Sequence, residues 1–313
     1  MIDPIGVIFG SGVALRNALY DRQVLKSYKL TRPVVSIGNI SVGGSGKTPF
    51  VVALGGLLKE RGIEFDVLSR GYGRSAKEVA IVDPGGTPDQ FGDEPLLIAR
   101  KLQVPVIVGA DRYQAGLLAE EKFPAKLHLL DDGFQHRRLH RDFDIVMLPD
   151  SDLSGTLLPL GKLREPLDSL GRADAVVVAP DTRRPRQAKL AWRARRHIYF
   201  ADSRAKTVAF CGIARPEQFF AGLKQLGLEL VATVRFPDHH RYRQRDINRL
   251  LRIKVQTGAR EFITTEKDAI NLRPFLAELR TYKTATLDLE LQDAGKMMDT
   301  LLRTLEERCP CRF

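Results

Sequence analysis

A glycine-rich segment near the start of the chain has the residue types and spacing of a phosphate-binding loop. An apolar run at residues 33–37 leads into a loop that ends in Gly46, Lys47 and Thr48, and a helical pattern follows. Glycines let backbone N–H groups turn toward phosphate oxygens, and a helix N-terminus adds partial positive charge. In such loops the lysine reaches the β- and γ-phosphates, and the next hydroxyl is a ligand for Mg²⁺. The residues expected to hold a nucleotide are Ser41, Val42, Gly43, Gly44, Ser45, Gly46, Lys47 and Thr48.

One position departs from the usual pattern of this loop. The pattern begins with glycine, and this chain has Ser41 there. Serine is small, so the turn can survive. The alternative is a glycine-rich turn without a ligand. However, Gly-Gly-x-Gly-Lys-Ser/Thr would arise by chance in a chain of this length about one time in a thousand. The strand, loop and helix also follow one another in the order of a phosphate loop.

A pair of carboxylates follows another apolar strand pattern at residues 126–130. Asp131 and Asp132 stand there, and Gly133 comes next. Alone, Asp-Asp-Gly indicates a turn, but beside a phosphate loop a strand-end carboxylate supports Mg²⁺. Adjacent strand residues point to opposite faces, so both could serve one ion only if the strand has ended. We therefore expect Thr48 and one of the two aspartates to support Mg²⁺, directly or through water.

Two further clusters carry acid–base chemistry. Asp93 opens a helix in the sequence Gly-Asp-Glu-Pro, where an acidic first turn is ordinary helix chemistry. A carboxylate there could also accept a proton from an attacking hydroxyl. In the second half, Asp238, His239 and His240 stand together after a strand pattern. This run is either a surface turn or a site in which a histidine orients a base or binds phosphate or metal.

The elements that would position these residues alternate along the chain. Strands are predicted at 33–37, 64–68, 104–108, 126–130, 143–148 and 175–179, with helices at 47–61, 94–102 and 112–122. The alternation resumes with strands at 207–211, 228–235, 261–265 and 286–291 and helices near 217–226 and 244–257, and a last helix reaches about residue 307. Apolar strands that alternate with helices predict an α/β fold with a parallel sheet covered on both faces.

A basic stretch interrupts this alternation. Residues 183–196 hold seven basic residues and no acidic one, together with Pro185 and the only tryptophan, Trp192. We interpret it as a helix that leads to a linker. The predicted division is therefore an N-terminal amphipathic helix region (1–30), to which the family resemblance given below assigns membrane docking, a phosphate-loop domain (31–182), a basic linker (183–204) and a smaller α/β domain (205–313). A chain of 313 residues is long enough for two domains.

Charge and composition limit the partners. Lys and Arg number 49 against 38 Asp and Glu, a net charge of +11 that favours an anionic partner.

Three cysteines, two of them the pair Cys309 and Cys311, lack nearby ligands for a metal and suit a reducing compartment. No apolar run reaches the length of a membrane span. The apolar face at 5–19, which we expect to start near Asp3 and Pro4, could pack on the core or lie in a membrane interface, because Arg16 and further cations follow.

Six segments in this order resemble the tetraacyldisaccharide 4′-kinase family of lipid A biosynthesis. They are SIGNISVGGSGKTP (36–49), SRGYGR (69–74), GDEP (92–95), DDGFQH (131–136), FPDHH (236–240) and TEKD (265–268). The resemblance implies a kinase that uses ATP and Mg²⁺ to phosphorylate the 4′-hydroxyl of a tetraacylated glucosamine disaccharide 1-phosphate. It also implies two α/β/α units with the active site in the cleft between them, and an N-terminal helix at the cytoplasmic face of the bacterial inner membrane.

The resemblance also implies roles for particular residues. Lys47 would act on the phosphates, and Asp93 would activate the sugar hydroxyl with support from His239 or His240. Which histidine does so is left open. Candidates for the substrate's own phosphate or for developing charge are Arg70, Arg74, Arg112 and Arg137.

Two other classes of function compete with a kinase. A membrane-associated regulatory P-loop ATPase would carry a lysine where this chain has Val42. A nucleic-acid-binding NTPase is suggested only by the basic charge, and an aromatic content of 7% offers no stacking platform. We therefore expect no nucleic acid partner, and nothing in the chain indicates an obligate protein partner.

Overall fold

The computed structural model describes residues 4–310 and 312. Within these residues, twelve strands form one continuous sheet. The strands are β1 (Val34–Asn39), β2 (Phe65–Ser69), β3 (Ala80–Ile81), β4 (Val106–Val108), β5 (Leu127–Asp131), β6 (Phe143–Met147), β7 (Ala175–Val178), β8 (Leu190–Tyr199), β9 (Thr207–Cys211), β10 (Leu230–Arg235), β11 (Glu261–Thr265) and β12 (Tyr282–Leu291).

Helices cover both faces of this sheet. They are α1 (Pro4–Asp21), α2 (Lys47–Glu60), α3 (Pro88–Phe91), α4 (Asp93–Leu102), α5 (Arg112–Lys122), α6 (Pro216–Gln225), α7 (Gln244–Thr257), α8 (Glu266–Asn271) and α9 (Ala294–Arg308). Short 3₁₀ segments lie at Asp150–Asp152, Leu167–Arg172 and Arg273–Leu279. The expected start of the first helix at Asp3 and the cysteine at position 311 lie outside the described residues. Cys211 and Cys309 are buried and free.

The order of strands across the sheet is β10-β9-β11-β12-β8-β7-β6-β1-β5-β2-β4-β3. Pairing is parallel throughout the described sheet except between β8 and β12 and between β3 and β4. Every residue of β1, β2, β5 and β6 is buried, because helices cover both faces of these central strands. The expected α/β fold with a mostly parallel sheet is confirmed. β1 lies between β5 and β6, so the loops after β1 and β5 are neighbours.

The basic stretch folds differently from our expectation, because the helix predicted within residues 183–196 is wrong. β8 pairs with β7 on one side and with β12 on the other. Trp192 stacks on Phe143 of β6 at 5.7 Å, and Ala194 is buried, so side chains that pack inward alternate with arginines. Strand pairing and this alternation outweigh the helical propensity of arginine. The domain boundaries themselves stay a prediction.

The last helix packs on the half of the molecule that carries the phosphate loop. Met297 and Leu301 of α9 belong to the same apolar cluster as Phe50 and Leu54 of α2. Arg308, at the end of α9, donates to the backbone oxygen of residue 142 at 2.7 Å. Because the chain returns in this way, the two halves share a continuous core as well as a continuous sheet. No helix of the described chain is long and apolar enough to cross a membrane.

Candidate active site

The phosphate loop connects β1 to α2 and is shaped by two glycines. Gly43 and Gly46 have φ angles of 84° and 91°, in the left-handed region that favours glycine. Gly46 is the N-cap of α2, so the first N–H groups of that helix lie at the loop. Thr48, in the first turn, is buried. The local geometry is that of an anion-binding helix start.

Ser41, the departure from the usual glycine, has a partner of its own. Its hydroxyl donates to the Asp152 carboxylate at 2.6 Å, and both side chains are buried. Asn39 donates through its side-chain amide to the Ser41 carbonyl at 2.8 Å. The serine therefore fastens the start of the loop to the 3₁₀ segment at Asp150–Asp152.

Lys47 and the two aspartates after β5 meet at the neighbouring loop. The Lys47 ammonium lies 3.3 Å from Asp132 Oδ1 and donates to Asn39 Oδ1 at 3.2 Å. β5 ends at Asp131, and Asp132 has a φ of 52°. The strand has therefore ended, which is the condition under which both carboxylates could serve one ion. Ser69 donates to Asp131 Oδ2 at 2.9 Å.

The two carboxylates have opposite electrostatic environments. Burial, together with the charges of Glu94 and Asp132, raises the pKa of Asp131 to about 7. Burial also opposes ionisation of Asp132, but Lys47 and Arg164 hold its pKa below the ordinary value. Asp131 Oδ1 is buried and has no hydrogen-bond partner among residues 4–310 and 312. A cation at this oxygen would relieve both the missing partner and the repulsion between the carboxylates.

Asp93 stands at the start of α4 as a buried, hydrogen-bonded carboxylate. Its side chain is 4% exposed, and both oxygens lie 3.0 Å from Nδ1 of His239. Asn271 of α8 donates to Oδ2 at 3.1 Å, and the Glu94 N–H donates to Oδ1 at 2.8 Å. Burial would raise the pKa of Asp93, but the hydrogen bond from His239 and the charge of Lys267 hold it below its usual value. The carboxylate is therefore ionised at neutral pH.

The structure brings only one of the two adjacent histidines to Asp93. His239 has a φ of 56°, which turns its ring toward Asp93. His240 instead has Nε2 at 3.0 Å from Asp246 Oδ2, and its ring stacks on Phe236 at 4.7 Å. The two histidines, between which the sequence left the choice open, therefore have different contacts. His239 contacts the candidate base, and His240 contacts its own half of the molecule.

The loop after β9 joins the histidine to the phosphate loop. The His239 N–H donates to the carbonyl of Gly212 at 3.2 Å. Two residues further on, Ala214 is so close to the phosphate loop that a Cβ at Gly43 would lie 3.1 Å from its methyl group. Arg215 then places its guanidinium 3.6 Å from Asp152 Oδ1. One loop therefore contacts both parts of the site, so the site is formed by residues from both halves.

The four candidate arginines are found in three places. Arg112 is buried at the start of α5, where the charges of Asp132, Arg70 and Asp131 act on it and burial lowers its pKa. Arg74 donates to backbone oxygens of residues 77 and 78, within its own loop.

Arg137, the fourth, lies against α1. Its guanidinium is 2.6 Å from Asp21 Oδ1, and it donates to the Asn17 carbonyl at 3.0 Å. The structure therefore places Arg112 near the paired aspartates, with the charge of Arg70 acting on it, and leaves the other two arginines in separate surroundings.

Sequence reasoning assigned no role to three residues of this site, although one of them, Lys267, stands in the TEKD segment (265–268). Lys267 of α8 lies 3.3 Å from Glu94 Oε1, and Asn271 follows one turn later. Their spacing of four on a strand-following helix was a signal that could have found them. Arg196 of β8 donates to the Ser45 carbonyl at 2.9 Å. The linker interpretation hid it, because a solvated linker would not return to the loop.

Comparisons with known proteins agree with this geometry. The family profile described as tetraacyldisaccharide-1-P 4′-kinase matches residues 1–306. A protein of Koribacter versatilis named tetraacyldisaccharide 4′-kinase is 48% identical, over 98% of this chain and 99% of its own length. The protein of that name from Aquifex aeolicus is 38% identical, over 87% of this chain and 89% of its own length.

A solved structure is similar over almost the whole molecule. It is described as LpxK from Aquifex aeolicus in complex with ATP, and it matches with a TM-score of 0.80 at 34% identity. The match covers 96% of this chain and 97% of that chain. The match of the family profile and the near-complete overlap with these relatives show that this chain belongs to the tetraacyldisaccharide-1-P 4′-kinase family.

Proposed function

We propose that this protein transfers the γ-phosphate of ATP to the 4′-hydroxyl of a tetraacylated glucosamine disaccharide 1-phosphate, a step of lipid A biosynthesis. The observation that carries the proposal is the contact between buried Asp93 and half-buried His239, which the loop after β9 connects to the phosphate loop. Phosphoryl transfer to a hydroxyl needs both a triphosphate cradle and a group that accepts the proton. A regulatory ATPase needs no such acceptor, and the names of the relatives do not favour one.

The phosphate loop would hold the triphosphate. Backbone N–H groups of residues 43–48 would face the phosphate oxygens, and Lys47 would place its charge on the β- and γ-phosphates. Lys47 now contacts Asp132, so it would exchange part of that contact for phosphate. Arg196 and Ser41 would keep the loop in shape through the Ser45 carbonyl and Asp152.

The residues beside the loop fit a magnesium ion. The Thr48 hydroxyl, Asp131 and Asp132 would support it, and the buried, unpartnered Asp131 Oδ1 is the observation that favours this assignment. Mg²⁺ keeps several waters and takes only one or two protein carboxylates when phosphates supply the rest. When bound, the ion neutralises phosphate charge. Ionised Asp132 would supply negative charge for the ion, and the charge of the ion would in turn favour ionisation of Asp131, whose pKa burial and the charges of Glu94 and Asp132 raise to about 7.

Asp93 would act as the general base on the acceptor hydroxyl. Donors at three positions stabilise its carboxylate, so it is ionised before substrate arrives. A base with a lowered pKa accepts a proton readily only once the oxygen has begun to bond to phosphorus, as in a loose transition state. His239 would hold Asp93 in the orientation that this transfer needs.

The arginines would bind charge on the substrate. Arg112 would act on the developing charge, because the charges of Asp132 and Asp131 already act on it, and Arg70 would assist it from a position where its charge reaches Arg112. Arg74 and Arg137 remain our candidates for the substrate's own phosphate. The latter lies against α1, the element that we expect to meet the lipid.

The N-terminal helix would dock on the cytoplasmic face of the inner membrane. Ile8 and Leu15 of α1 are 73% and 63% exposed, and Leu160 on a nearby loop is 76% exposed. That loop packs on the helix, because a Cβ at Gly10 would lie 2.9 Å from Leu157 Cδ1. Apolar side chains flanked by cations such as Arg16 are typical of interfacial helices. A basic surface also suits an anionic leaflet and an anionic lipid substrate.

Phosphate transfer from γ-labelled ATP to the disaccharide 1-phosphate in detergent micelles tests the proposal. Wild type and Lys47→Ala would be compared, with Lys59→Ala as the control, because Lys59 lies on the same helix and donates to the carbonyl of Leu102 at the far end of α4. We expect labelled lipid from wild type and the control, and a loss of at least about a hundredfold in Lys47→Ala. ATP hydrolysis by folded wild type without labelled lipid would overturn the kinase proposal.

A further inference from the structure

Lys267 occupies the side of His239 that faces away from Asp93. Its ammonium lies 3.2 Å from Nε2 of His239, on the opposite edge of the ring from the Nδ1 that contacts Asp93. The same ammonium lies 3.3 Å from Glu94 Oε1 and 3.3 Å from Asp238 Oδ1. These carboxylates and the start of α8 hold the lysine in place, and its side chain is only 15% exposed.

The chemistry of the two groups determines the direction of this contact. A lysine ammonium has three donors and no acceptor, so His239 must offer a lone pair at Nε2. The ring proton is then on Nδ1, where it donates to the Asp93 carboxylate. If Nε2 were protonated as well, its N–H would point at the ammonium of Lys267 across 3.2 Å, with like charges on both sides.

We propose that Lys267 is a positioning residue that disfavours a proton on Nε2 of His239, so that the neutral ring acts on Asp93 as an Nδ1–H donor. This inference rests on the proposed function of Asp93 as the base. In the reaction, the O–H bond of the acceptor breaks and its proton passes to an Asp93 oxygen. The oxygen's electron pair forms the new bond to the γ-phosphorus, while the bond to the bridging oxygen breaks and ADP leaves with that pair. The proton stays on Asp93 and is not passed to His239.

The charges around the ring support this division of roles. Asp93 and Glu94 on α4 and Asp238 in the histidine's own loop favour its protonation, and the Tyr72 ring packs on it at 4.9 Å. Burial and the charge of Lys267 act in the opposite direction.

The balance leaves the pKa of His239 above its ordinary value. Lys267 itself stays charged, because Glu94, Asp93 and Asp238 raise its pKa despite burial. Without this lysine, no cation at Nε2 would oppose the three carboxylates, and they would raise the pKa of His239 further.

Nitrogen NMR of the ¹⁵N-histidine-labelled protein measures the tautomer directly. The chain has six histidines, and His239→Gln identifies the signal of the residue of interest. In wild type at mildly alkaline pH we expect an unprotonated Nε2 and a protonated Nδ1. In Lys267→Met the titration midpoint of His239 should rise by about one pH unit or more, the size of shift that a neighbouring charge produces.

Two further variants sharpen the test. Lys101→Met removes a lysine of α4 whose ammonium lies 2.7 Å from a carboxylate oxygen of Glu266, the neighbour of Lys267 on α8. This variant should leave the titration midpoint of His239 unchanged. Lys267→Arg keeps a cation with donors only and should retain an unprotonated Nε2.

A proton on Nε2 of the neutral wild-type ring, or an unchanged midpoint in Lys267→Met, would overturn the inference. If Lys267→Met does not fold, the wild-type tautomer and Lys267→Arg still decide it. The NMR measurement needs no turnover, so it tests the inference separately from the kinase activity. If the protein shows the expected tautomer but phosphorylates no lipid, the proposed function is rejected and the inference about the tautomer is kept.

The kinetic counterpart is a change in the pH dependence of kcat. In Lys267→Met, protonation of His239 would extend to higher pH and replace the neutral donor by an imidazolium, which weakens Asp93 as a base. We expect the acidic limb of the kcat profile to move upward by the same shift as the NMR midpoint, with KM for ATP unchanged. A purely structural role for Lys267 would lower kcat equally at all pH values.

Discussion

Nδ1 of His239 lies 3.0 Å from both carboxylate oxygens of Asp93, although 146 residues separate the two in sequence. Asp93 starts a helix of the first half of the chain, and His239 stands in a loop of the second half. The contact therefore exists only when both halves of the sheet are assembled. It also separates His239 from His240, which contacts Asp246.

Substitution Asp93→Asn should abolish most of the transfer activity and leave nucleotide binding intact. The amide cannot accept the acceptor's proton, and general-base catalysis contributes about a hundred- to ten-thousandfold. Kinase rate and ATP affinity measured on the same preparation check this. Asp89→Asn, which alters an exposed aspartate paired with Arg241, is the matched control. Full activity in Asp93→Asn would remove this residue from the mechanism.

The two adjacent histidines should respond in opposite ways to substitution by glutamine. His239→Gln weakens the hold on Asp93, so kcat should fall by about ten- to a hundredfold with little change in stability. His240→Gln breaks a contact with Asp246 and a ring stack on Phe236, so it should cost about 1–2 kcal/mol of unfolding free energy. Urea unfolding and kinase assays on both variants test the pair. Equal losses of activity would contradict the assignment.

Stability should fall as the pH rises toward alkaline values because of a buried histidine outside the active site. His128 of β5 lies 2.7 Å from Asp66 and 3.4 Å from Glu120. Burial disfavours its charge, but these carboxylates raise its pKa from 6.5 to about 9. A raised pKa in the folded state stabilises fully below pH 6.5, and this contribution is lost as the pH passes about 9.

The loss should amount to a few kcal/mol, since each pKa unit is worth about 1.4 kcal/mol. Urea unfolding between mildly acidic and alkaline pH measures it. His128→Gln should lower stability at acidic pH and flatten this pH dependence. An unchanged slope in that variant would assign the alkaline loss to other groups.

Charged substitutions on α1 should weaken binding to anionic vesicles. Ile8→Glu with Leu15→Glu removes two exposed apolar side chains, each worth about 1.5–3 kcal/mol when fully buried. We expect the affinity for the vesicles, measured from the bound fraction in a flotation assay, to fall by at least about tenfold. Val255→Glu changes an equally exposed residue on α7 and should have no effect. If the α1 double variant binds the vesicles as well as the Val255→Glu control, the docking surface lies elsewhere.

Local patterns in the sequence were sufficient for much of this structure. The phosphate loop, the boundaries of α5 and α7 and the buried strands follow from spacing, glycine content and apolar runs, because these depend on residues close together in the chain. The same holds for Asp131 and Asp132 at the end of β5.

The tertiary structure decided what depends on distant residues. It placed His239, Lys267 and Asn271 at Asp93, and it placed His240 at Asp246. It also turned the predicted linker helix into β8. A strand is stabilised by neighbours that come from elsewhere in the chain, and the environment of a carboxylate depends on which charges fold against it. The sequence by itself therefore determined which residues could do the chemistry, and only the packing of the two halves decided which of them meet.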